Sequence, residues 1–532
     1  MSSFRWAFGP VAVVLAGLAL FVAGCGASRR TDERLTLAVN TEPSSLDPAL
    51  SKDVPSGRLV GYVYSTLVRF DENLALVGDL SDTFVVSPDG KTYTFHIRAN
   101  ARFASGRPIT AEDAKASFER VLDPKVASPR TWLFDRIEGA REFMDGKAAA
   151  VTGIAAKGAS LVITLKDPFA PFMGLLSMPS ASIVDKEEIR KWGRDFPLHD
   201  SGSGPFTVLS WVKDSGLELS PNPYYHEGAS RLRGLSVRIL REPLTIVTEL
   251  GRGNVDIADI PASQHAGVSS DPRWTGCVLE RPGLNVYYLG LNCQRGPFSN
   301  VALRQAAAHA IDRERIVSFV RKGQAVPAVG PIPPGLLGHD PSFSGLRVDK
   351  TLAKQLAARA GLKAGTAIRL LQSDDKSNLE VTQMIQAYLQ ELGFDVKLVS
   401  YESSTFKKRV DEGDFDAFYY SWFADYPDAE NFLYPLFHSS RAGGGGNGPR
   451  YADPIVDDLL AQAHRTADDR ARQGLYRKIE EKVVADASRV YLFHRKTVTL
   501  RQPWVTGYRQ YPVFNCDRLS GVSLDLTRLG QF

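Results

Sequence analysis

Residues 422–428 combine side chains that can bind a charged small molecule. They read Trp-Phe-Ala-Asp-Tyr-Pro-Asp, which places two carboxylates, Asp425 and Asp428, beside aromatic rings. Asp428 stands directly before Ala-Glu-Asn, where an aspartate caps the start of a helix, and this leaves Asp425 without an obvious structural duty. A sheltered carboxylate that accepts from a cation forms a charge-assisted hydrogen bond worth about 1.5–3 kcal/mol. Asp425 is therefore a candidate binding residue, with helix capping as the alternative for either aspartate.

Trp422 has two interpretations. Its indole face can wall a binding site beside Asp425, or it can belong to the core, since residues 419–421 before it read Tyr-Tyr-Ser. The sequence leaves both open.

Motifs for catalysis and metal binding are missing from the sequence. Residues 202–205 read Gly-Ser-Gly-Pro, not the Gly-x-Ser-x-Gly turn of a serine nucleophile, and the glycine-rich residues 443–448 lack the Lys-Ser/Thr of a phosphate loop. No His-Glu-x-x-His or Cys-x-x-Cys occurs, and the nine histidines are scattered singly. We expect a binding protein that is not an enzyme and that needs neither a cofactor nor a metal.

The N-terminus carries the pattern of an export signal. One charge, Arg5, precedes an apolar run over residues 11–22, and Val-Ala-Gly-Cys follows, with Cys25 last. A membrane-spanning helix, the alternative, needs roughly 20 apolar residues, and glycine and proline interrupt this run. The ending resembles the lipobox of a bacterial lipoprotein. This implies a signal peptide over residues 1–24, a lipid on Cys25, a tether over residues 25–34, and a mature chain in the periplasm or at the cell surface, anchored to the membrane.

Length and charge bound the class of protein. The 532 residues suffice for two to four domains with large cores, and 64 basic residues are interspersed with 60 acidic ones without a basic stripe. Nucleic acid is therefore not an expected partner, and the chain is expected to act as a monomer. Besides Cys25 the chain has Cys277, Cys293 and Cys516, which allow at most one disulfide, and the sequence does not choose the pair.

Strand and helix patterns alternate along the chain, which predicts a mixed α/β fold without repeats. Residues 92–98 alternate polar and apolar side chains as a strand does, and Thr110 with Asp113 marks the capped start of a helix that ends near residue 123. Residues 284–292 have no regular polar face, which is typical of a buried strand. Further expectations are a strand at 35–39, a helix through Val60, Tyr64 and Leu67, a helix over 300–317, a loop at 324–338, and a strand–helix–strand unit over 367–371, 379–392 and 396–399.

Six segments, in this order, resemble the family of extracellular solute-binding proteins that serve peptide and nickel ABC importers, called solute-binding family 5. Singly each is weak, but the order and spacing cover nearly all of the mature chain. The segments are residues 42–48 (Glu-Pro-Ser-Ser-Leu-Asp-Pro), 87–90 through 111–113, 202–206 (Gly-Ser-Gly-Pro-Phe), Asn292 with 297–298 and 304–313, 422–428, and 504–508 (Trp-Val-Thr-Gly-Tyr).

The resemblance implies a periplasmic-binding-protein-like fold (type II, cluster C), with two main lobes joined by a two-strand hinge and an inserted third domain. Lobe I would comprise residues 35–58, 202–286 and 496–532, the inserted domain II residues 59–201, and lobe III residues 287–495. The two crossovers would lie near residues 284–292 and 494–498. Ligand would be held between lobes I and III, whose closure signals to the permease subunits of an ABC importer.

The family also implies site residues. In relatives that carry peptides, an aspartate after a tryptophan receives the α-amino group of the peptide, and here that position is Asp425, with Trp422 and Tyr426 beside it. Asp53 falls in a region that lines the cleft opposite, although an acidic loop residue is more often simply solvated. Tyr419 stands in a region where some relatives carry an arginine for the C-terminus of the ligand, so recognition of that end is left open.

The expected cargo is a di- or oligopeptide, held by main-chain hydrogen bonds that tolerate many side chains. The same fold with a non-peptide cargo, such as a nickel chelate, haem, a glycan or an opine, is the alternative.

Overall fold

Strands form the framework of the protein. The computed structural model describes residues 34–444 and 446–528, so Cys25 and the predicted signal peptide lie outside the described residues. Within these ranges, twenty strands form a twelve-stranded sheet, a four-stranded sheet and two two-stranded pairs. The strands are β1 (Arg34–Val39), β2 (Val68–Phe70), β3 (Leu76–Gly78), β4 (Ser81–Val86), β5 (Thr92–Ile97), β6 (Ile154–Lys157), β7 (Ser160–Thr164), β8 (Phe206–Val212), β9 (Gly216–Pro221), β10 (Gly234–Ile239), β11 (Ile257–Asp259), β12 (Val278–Pro282), β13 (Asn285–Leu291), β14 (Ala325–Pro327), β15 (Thr366–Ser373), β16 (Phe394–Tyr401), β17 (Ala417–Phe423), β18 (Arg489–Arg501), β19 (Val505–Thr506) and β20 (Ser523–Leu524).

Helices cover the sheets and connect their strands. None of the helices in the described ranges is both long and apolar enough to cross a bilayer. The α-helices are α1 (Val54–Val63), α2 (Ala111–Leu122), α3 (Ala140–Met144), α4 (Phe172–Leu175), α5 (Lys186–Trp192), α6 (Pro243–Gly251), α7 (Ala262–Ser270), α8 (Val301–Ala310), α9 (Arg313–Ile316), α10 (Lys350–Arg359), α11 (Lys376–Leu392), α12 (Ser403–Glu412), α13 (Glu430–Phe437), α14 (Pro454–Arg465) and α15 (Asp469–Ala485).

The helix-capping and crossover predictions are confirmed. The Asp113 carboxylate accepts from the backbone N–H of Thr110 at 2.9 Å, which fixes the start of α2. β15, α11 and β16 form the expected strand–helix–strand unit, with β15 parallel to β16. β13 is buried at every position, as its continuous apolar pattern indicated.

Three sequence predictions are corrected. α1 ends at Val63 and does not continue to Leu67. The helix expected over residues 300–317 is interrupted, because the Asp312 side chain accepts from the backbone N–H of Arg315 and starts a second short helix. The expected loop at 324–338 contains β14, which pairs with β18 despite the prolines that follow it.

The twelve-stranded sheet has two halves that share β18. The first half-sheet has the order β11-β1-β10-β9-β8, and the second half-sheet has the order β13-β17-β15-β16. The amino-terminal part of β18 pairs with β13, where Phe493 lies opposite Tyr287. Its carboxyl-terminal part pairs with β12, where Leu500 lies opposite Val278. One 13-residue strand therefore passes from one half-sheet into the other.

A second connection, between β12 and β13, runs beside this strand and is fastened to it by Asn285. The amide nitrogen of Asn285 donates to the carbonyl oxygen of Arg495 at 3.0 Å, and its amide oxygen accepts from the Arg495 N–H at 2.8 Å. His494 Nδ1 donates to the carbonyl oxygen of Asn285 at 2.6 Å, and burial lowers the pKa of His494 to about 4. The two crossing strands are thus held together by buried, neutral hydrogen bonds.

Separate cores support the parts of the fold. The second half-sheet is covered on both faces, by clusters that include Leu289 on one side and Tyr288 on the other. Leu35 and Phe206 belong to the core of the first half-sheet. The four-stranded sheet, of order β4-β5-β7-β6, has a core of its own around Phe118. The result is the mixed α/β architecture that the sequence predicts.

Candidate functional site

A cleft lies between the two half-sheets. β1 runs parallel to β10 and β11, and β15 runs parallel to β16 and β17. Ligands of open α/β sheets bind at the carboxyl edge of such strands. At the carboxyl ends of β1 and β11 a cavity of about 710 Å³, a size typical of small-molecule sites, opens toward residues of the second half. This cleft is lined by, among others, Val39, Pro55, Arg58, Asp259, Arg321 and Arg495.

Asp425 lies just after the carboxyl end of β17 and pairs with Arg130. The Arg130 Nη1 is 3.3 Å from Asp425 Oδ1. The same guanidinium group donates to the carbonyl oxygens of Ser51 and Lys52, at 3.4 and 3.1 Å. Residues 51 and 52 stand two to three positions before Val54 and Pro55, which line the cleft, so Arg130 ties Asp425 to the segment that leads into this wall. Asp425 itself is not among the residues that line the cavity.

Asp425 is partly sheltered and held by its backbone. Burial raises the pKa of the Asp425 carboxyl above its usual value, while the positive charge of Arg130 opposes this rise. Its N–H donates to Asn431 Oδ1 at 2.9 Å, and the indole N–H of Trp422 donates to the same oxygen at 3.4 Å. Asn431 therefore positions Trp422 and Asp425 together. In this conformation the Asp425 carboxylate is free of any helix-capping duty.

Asp428 takes the structural role instead. Its carboxylate accepts from the Glu430 N–H at 2.9 Å, at the start of α13, and from the Tyr476 hydroxyl at 2.8 Å. Arg472 lies 3.4 Å away and balances its charge. Asp428 is therefore the better placed of the two aspartates, as expected, although it stands one residue before the N-cap position, which Ala429 occupies.

Tyr419 and Trp422 lie on opposite faces of β17, because side chains alternate along a strand. Tyr419 packs in the core beside Tyr287, and its hydroxyl accepts from Arg321 at 3.3 Å. Trp422 contacts the core on the other face. The two aromatic candidates therefore do not form one continuous wall, and a ligand contact for Tyr419 stays a prediction.

Tyr426 is buried in the core of the four-stranded sheet. Its ring lies against Gly174, and its hydroxyl donates to Glu430, which in turn accepts from His464 at 2.7 Å. Only 5 % of Tyr426 is exposed. The side chain links α13 to the four-stranded-sheet part of the protein, and its predicted contact with ligand stays untested.

Asp53 caps α1. Its carboxylate accepts from the Ser56 N–H at 2.8 Å, from the Ser56 hydroxyl at 2.9 Å and from the Ser44 hydroxyl. Burial would raise the pKa of Asp53, but these hydrogen bonds more than offset that effect, so its pKa lies below the usual value. The residue lies one position after Lys52, beside the Arg130–Asp425 pair.

Several residues at this site had no signal in the sequence. Arg130, Asn431, Arg321 and Arg495 stand singly in segments without a recognisable motif. Only the folded chain brings them to the cleft or to Asp425. The three cysteines within the described residues, Cys277, Cys293 and Cys516, are free thiols.

Two half-sheets joined by crossing strands, with a ligand-sized cleft between them, define a periplasmic-binding-protein-like fold. The chain belongs to the bacterial extracellular solute-binding proteins, family 5. The profile of the middle part of this family matches residues 75–444.

Curated relatives are similar over almost the whole chain. The probable D,D-dipeptide-binding periplasmic protein DdpA of Escherichia coli K12 is 31% identical over 508 residues, which are 92% of this chain and 94% of that protein. The periplasmic oligopeptide-binding protein OppA of the same strain is 28% identical over 520 residues, 94% of this chain and 95% of that protein. Heme-binding protein A of Haemophilus influenzae is 28% identical over 485 residues, 87% of each chain.

Solved structures share the fold. HbpA2 from Haemophilus parasuis superposes with a TM-score of 0.81 at 28% identity, covering 92% of this chain and 100% of that one. The unliganded open form of the periplasmic murein tripeptide binding protein MppA superposes with a TM-score of 0.80 at 26% identity, covering 93% and 98%.

Proposed function

We propose that this protein is the peptide-binding lipoprotein of an ABC importer. It would bind di- or oligopeptides between two lobes that close on the ligand, and deliver them to the permease subunits in the membrane. One observation carries the proposal: a partly sheltered carboxylate, Asp425, already holds a cationic group, and this group, Arg130, is bonded to the segment that leads into the cleft wall. The relatives named for dipeptides and oligopeptides support the choice of cargo.

The lobes of this proposal follow the two half-sheets. Lobe I comprises residues 35–58, 202–286 and 496–532, domain II residues 59–201, and lobe III residues 287–495. The passage of β18 between the half-sheets supports the hinge. Leu59, Val60 and Tyr64 pack in the core of the first half-sheet. This packing favours a boundary between lobe I and domain II after Tyr64, a few residues later than residue 58.

Ligand capture then has a simple physical basis. The α-ammonium group of a peptide replaces the Arg130 guanidinium group on Asp425, since both are cationic donors. Strand-like main-chain hydrogen bonds hold the peptide without selecting side chains. Rotation about the two crossing strands brings the half-sheets together, and the closed shape is the one that the permease recognises.

Attachment to the membrane belongs to the same proposal. A lipid on Cys25, following removal of residues 1–24, would keep the protein at the outer side of the membrane, where one monomer serves one permease. Mass spectrometry of the full-length chain isolated from a bacterial host tests this directly. A mature N-terminus at Cys25 with added acyl mass supports the anchor, and an intact residue 1–24 segment contradicts it.

A non-peptide cargo is the second candidate. The relative named for haem has nearly the same coverage and identity as the oligopeptide relative, and an aromatic Tyr419 stands where some peptide carriers have an arginine. The fold alone does not distinguish the two cargoes.

The test is to identify what the protein carries. Native mass spectrometry of the full-length chain, in mild detergent, is followed by denaturation and sequencing of the released molecules. A ladder of short peptides supports the proposal, whereas a single non-peptide mass shows that the cargo is a different kind of molecule. If the protein is empty, calorimetric titration with defined peptide pools decides, and absence of binding to every pool overturns the peptide assignment.

A further inference from the structure

A second, smaller cavity lies between α1 and the first half-sheet; we call it the inner cavity. Its volume is about 50 Å³, which is enough for a few water molecules or one ammonium group. Val39, Arg58 and Asp259 line both the inner cavity and the cleft, so the two spaces adjoin. The chain between β19 and β20 contributes further lining side chains, among them Phe514 and Asp517. The inner cavity is therefore a recess of the cleft within one half of the protein.

The lining of the inner cavity carries an excess of negative charge. Its charged side chains are one arginine, Arg58, and two aspartates, Asp259 and Asp517. The Arg58 guanidinium group lies 3.6 Å from the Asp259 carboxylate, which also accepts from the Thr499 hydroxyl at 2.7 Å. Arg58 and Asp259 therefore balance each other at the boundary with the cleft, and the negative charge of Asp517 is left over.

Asp517 receives little compensation from the protein. In the described part of the chain its carboxylate accepts one hydrogen bond, from the Leu519 N–H at 3.0 Å. Arg58 and Arg518 attract it from a distance, but each forms its ion pair with a different carboxylate. Burial outweighs these contacts and raises the pKa of Asp517 to about 6. A cation beside this carboxylate would offset the cost of its burial.

Aromatic rings form much of the remaining lining, which includes Tyr62, Tyr508, Tyr511 and Phe514. Only 2 % of Tyr62 is exposed, and its hydroxyl has no hydrogen-bond partner among the described residues. Burial and the negative charge of Asp517 raise the pKa of Tyr62, so this hydroxyl stays protonated beside the carboxylate. A buried polar group without a partner indicates a missing water or ligand. Rings around a carboxylate are the surroundings that bind alkylammonium ions, through cation–π attraction and charge.

We propose that the inner cavity binds an alkylammonium group, with Asp517 as its counterion, the Tyr62 hydroxyl as a second acceptor and the aromatic rings as walls. The inference rests on the proposed peptide-binding function and names a class of cargo, peptides with a lysine-like side chain. The ammonium group enters the inner cavity, and the methylene chain passes Arg58 and Asp259 into the cleft. A free alkylamine carries the same chemistry. A divalent metal ion is a poorer occupant, because it requires more oxygen ligands than one carboxylate and a few hydroxyls supply.

Calorimetry with alanine tripeptides that carry one lysine, at each position in turn, tests the inner cavity. The reference peptides carry norleucine, which lacks only the ammonium group, and butylamine represents the free amine. The proteins are wild type, Asp517→Asn, Tyr62→Phe and the control Asp145→Asn, at a surface aspartate paired with Lys147. The titrations are run at about pH 8, where Asp517 is ionised.

Wild type and control should prefer lysine to norleucine at least about tenfold at the best position, because a charge-assisted hydrogen bond is gained. Asp517→Asn should lose this preference while its affinity for the norleucine peptide stays unchanged. Tyr62→Phe should reduce the preference about threefold, since one neutral acceptor is removed.

The outcomes separate the two proposals. Equal affinity of the wild type for lysine and norleucine peptides overturns the ammonium site and leaves peptide binding intact. A lysine preference that persists in both variants overturns the assignment to the inner cavity. Binding of butylamine that Asp517→Asn abolishes, without binding of any peptide, supports the site and overturns the peptide cargo, whereas absence of all binding overturns both. Tyr62→Phe removes one unpartnered hydroxyl, so the test holds even if thermal unfolding shows that Asp517→Asn does not fold.

Discussion

Arg130 and Asp425 are 295 positions apart in the chain, and their side chains meet at 3.3 Å. The same guanidinium group holds the carbonyl oxygens of Ser51 and Lys52, so one arginine joins three separate segments. A carboxylate that holds a guanidinium group can hold a ligand ammonium group in its place. The predicted ligand-binding role of Asp425 can therefore be tested by measuring peptide affinity after substitution of either residue and as a function of pH.

Replacing Asp425 with alanine should lower the affinity for peptides with a free amino terminus at least about tenfold, because a charge-assisted hydrogen bond is lost. The fold should survive, since the backbone N–H of Asp425, which the substitution leaves in place, still donates to Asn431. Calorimetry compares a peptide with its N-acetylated form. Asp145→Ala, at a surface aspartate paired with Lys147, is the matched control. Unchanged binding of the free-amine peptide by Asp425→Ala would contradict the assignment.

Replacing Arg130 with alanine should strengthen binding of free-amine peptides by up to about fivefold near neutral pH. The Arg130 guanidinium group competes with the ligand for Asp425, and a partly exposed ion pair contributes about 0–1 kcal/mol. Affinity for N-acetylated peptides should stay constant, as should all affinities of the surface variant Arg190→Ala. Weaker binding of the free-amine peptide would show that Arg130 contacts the ligand and does not compete with it.

Ligand affinity should depend on pH through Asp425. Burial raises the pKa of this carboxyl above its usual value, and only the ionised form binds an ammonium group. The affinity for the peptide should therefore fall as the pH drops through this raised pKa, and the fall should occur at a higher pH than for an ordinary aspartate. Near that pH, binding of the ammonium group should release a proton from the Asp425 carboxyl. Titrations from about pH 4 to about pH 8, in buffers of different ionisation enthalpy, measure both effects. Asp425→Ala should lose this dependence, and an equal dependence in that variant would point to another group.

Asp53→Ala distinguishes a structural role from a ligand contact. Loss of this cap should lower the free energy of unfolding by about 0.5–2 kcal/mol in urea denaturation, with peptide affinity unchanged. The folded-state pKa of Asp53 is lowered, so its stabilising contribution is complete above the unfolded-state pKa and is lost as the pH falls. The stability difference from wild type should accordingly shrink in acid. Reduced affinity with unchanged stability would instead support the ligand contact.

Asn285→Ala should destabilise the crossing strands. The buried side chain exchanges two hydrogen bonds with the backbone of Arg495, and its removal leaves buried polar groups unpaired, which costs about 1–3 kcal/mol. Urea denaturation monitored by circular dichroism measures the loss. Asn100→Ala, at a surface asparagine that donates to the His226 carbonyl oxygen, is the control and should change stability much less. Equal effects of the two substitutions would argue against a special role for the crossing.

Local structure could be predicted from the sequence wherever the signal was itself local. The cap at Thr110 and Asp113, the buried strand β13 and the unit of β15, α11 and β16 are confirmed, because capping chemistry and side-chain periodicity act over a few residues. The interruption of the helix after Ala310 was missed. There the apolar spacing continues across Asp312, and only the capping contact to Arg315 shows that a new helix begins.

The sequence by itself determined the mixed α/β class, the order of most elements, the resemblance to the family and the singling out of Asp425. The tertiary structure alone decided that Arg130 reaches Asp425, that Tyr419 and Trp422 face opposite sides of β17, and that Arg321 and Arg495 meet around Tyr287. The physical reason is the sequence separation over which each interaction acts. Caps and periodic patterns depend on residues that are neighbours along the chain, whereas an ion pair joins residues that only the packing of distant strands brings together.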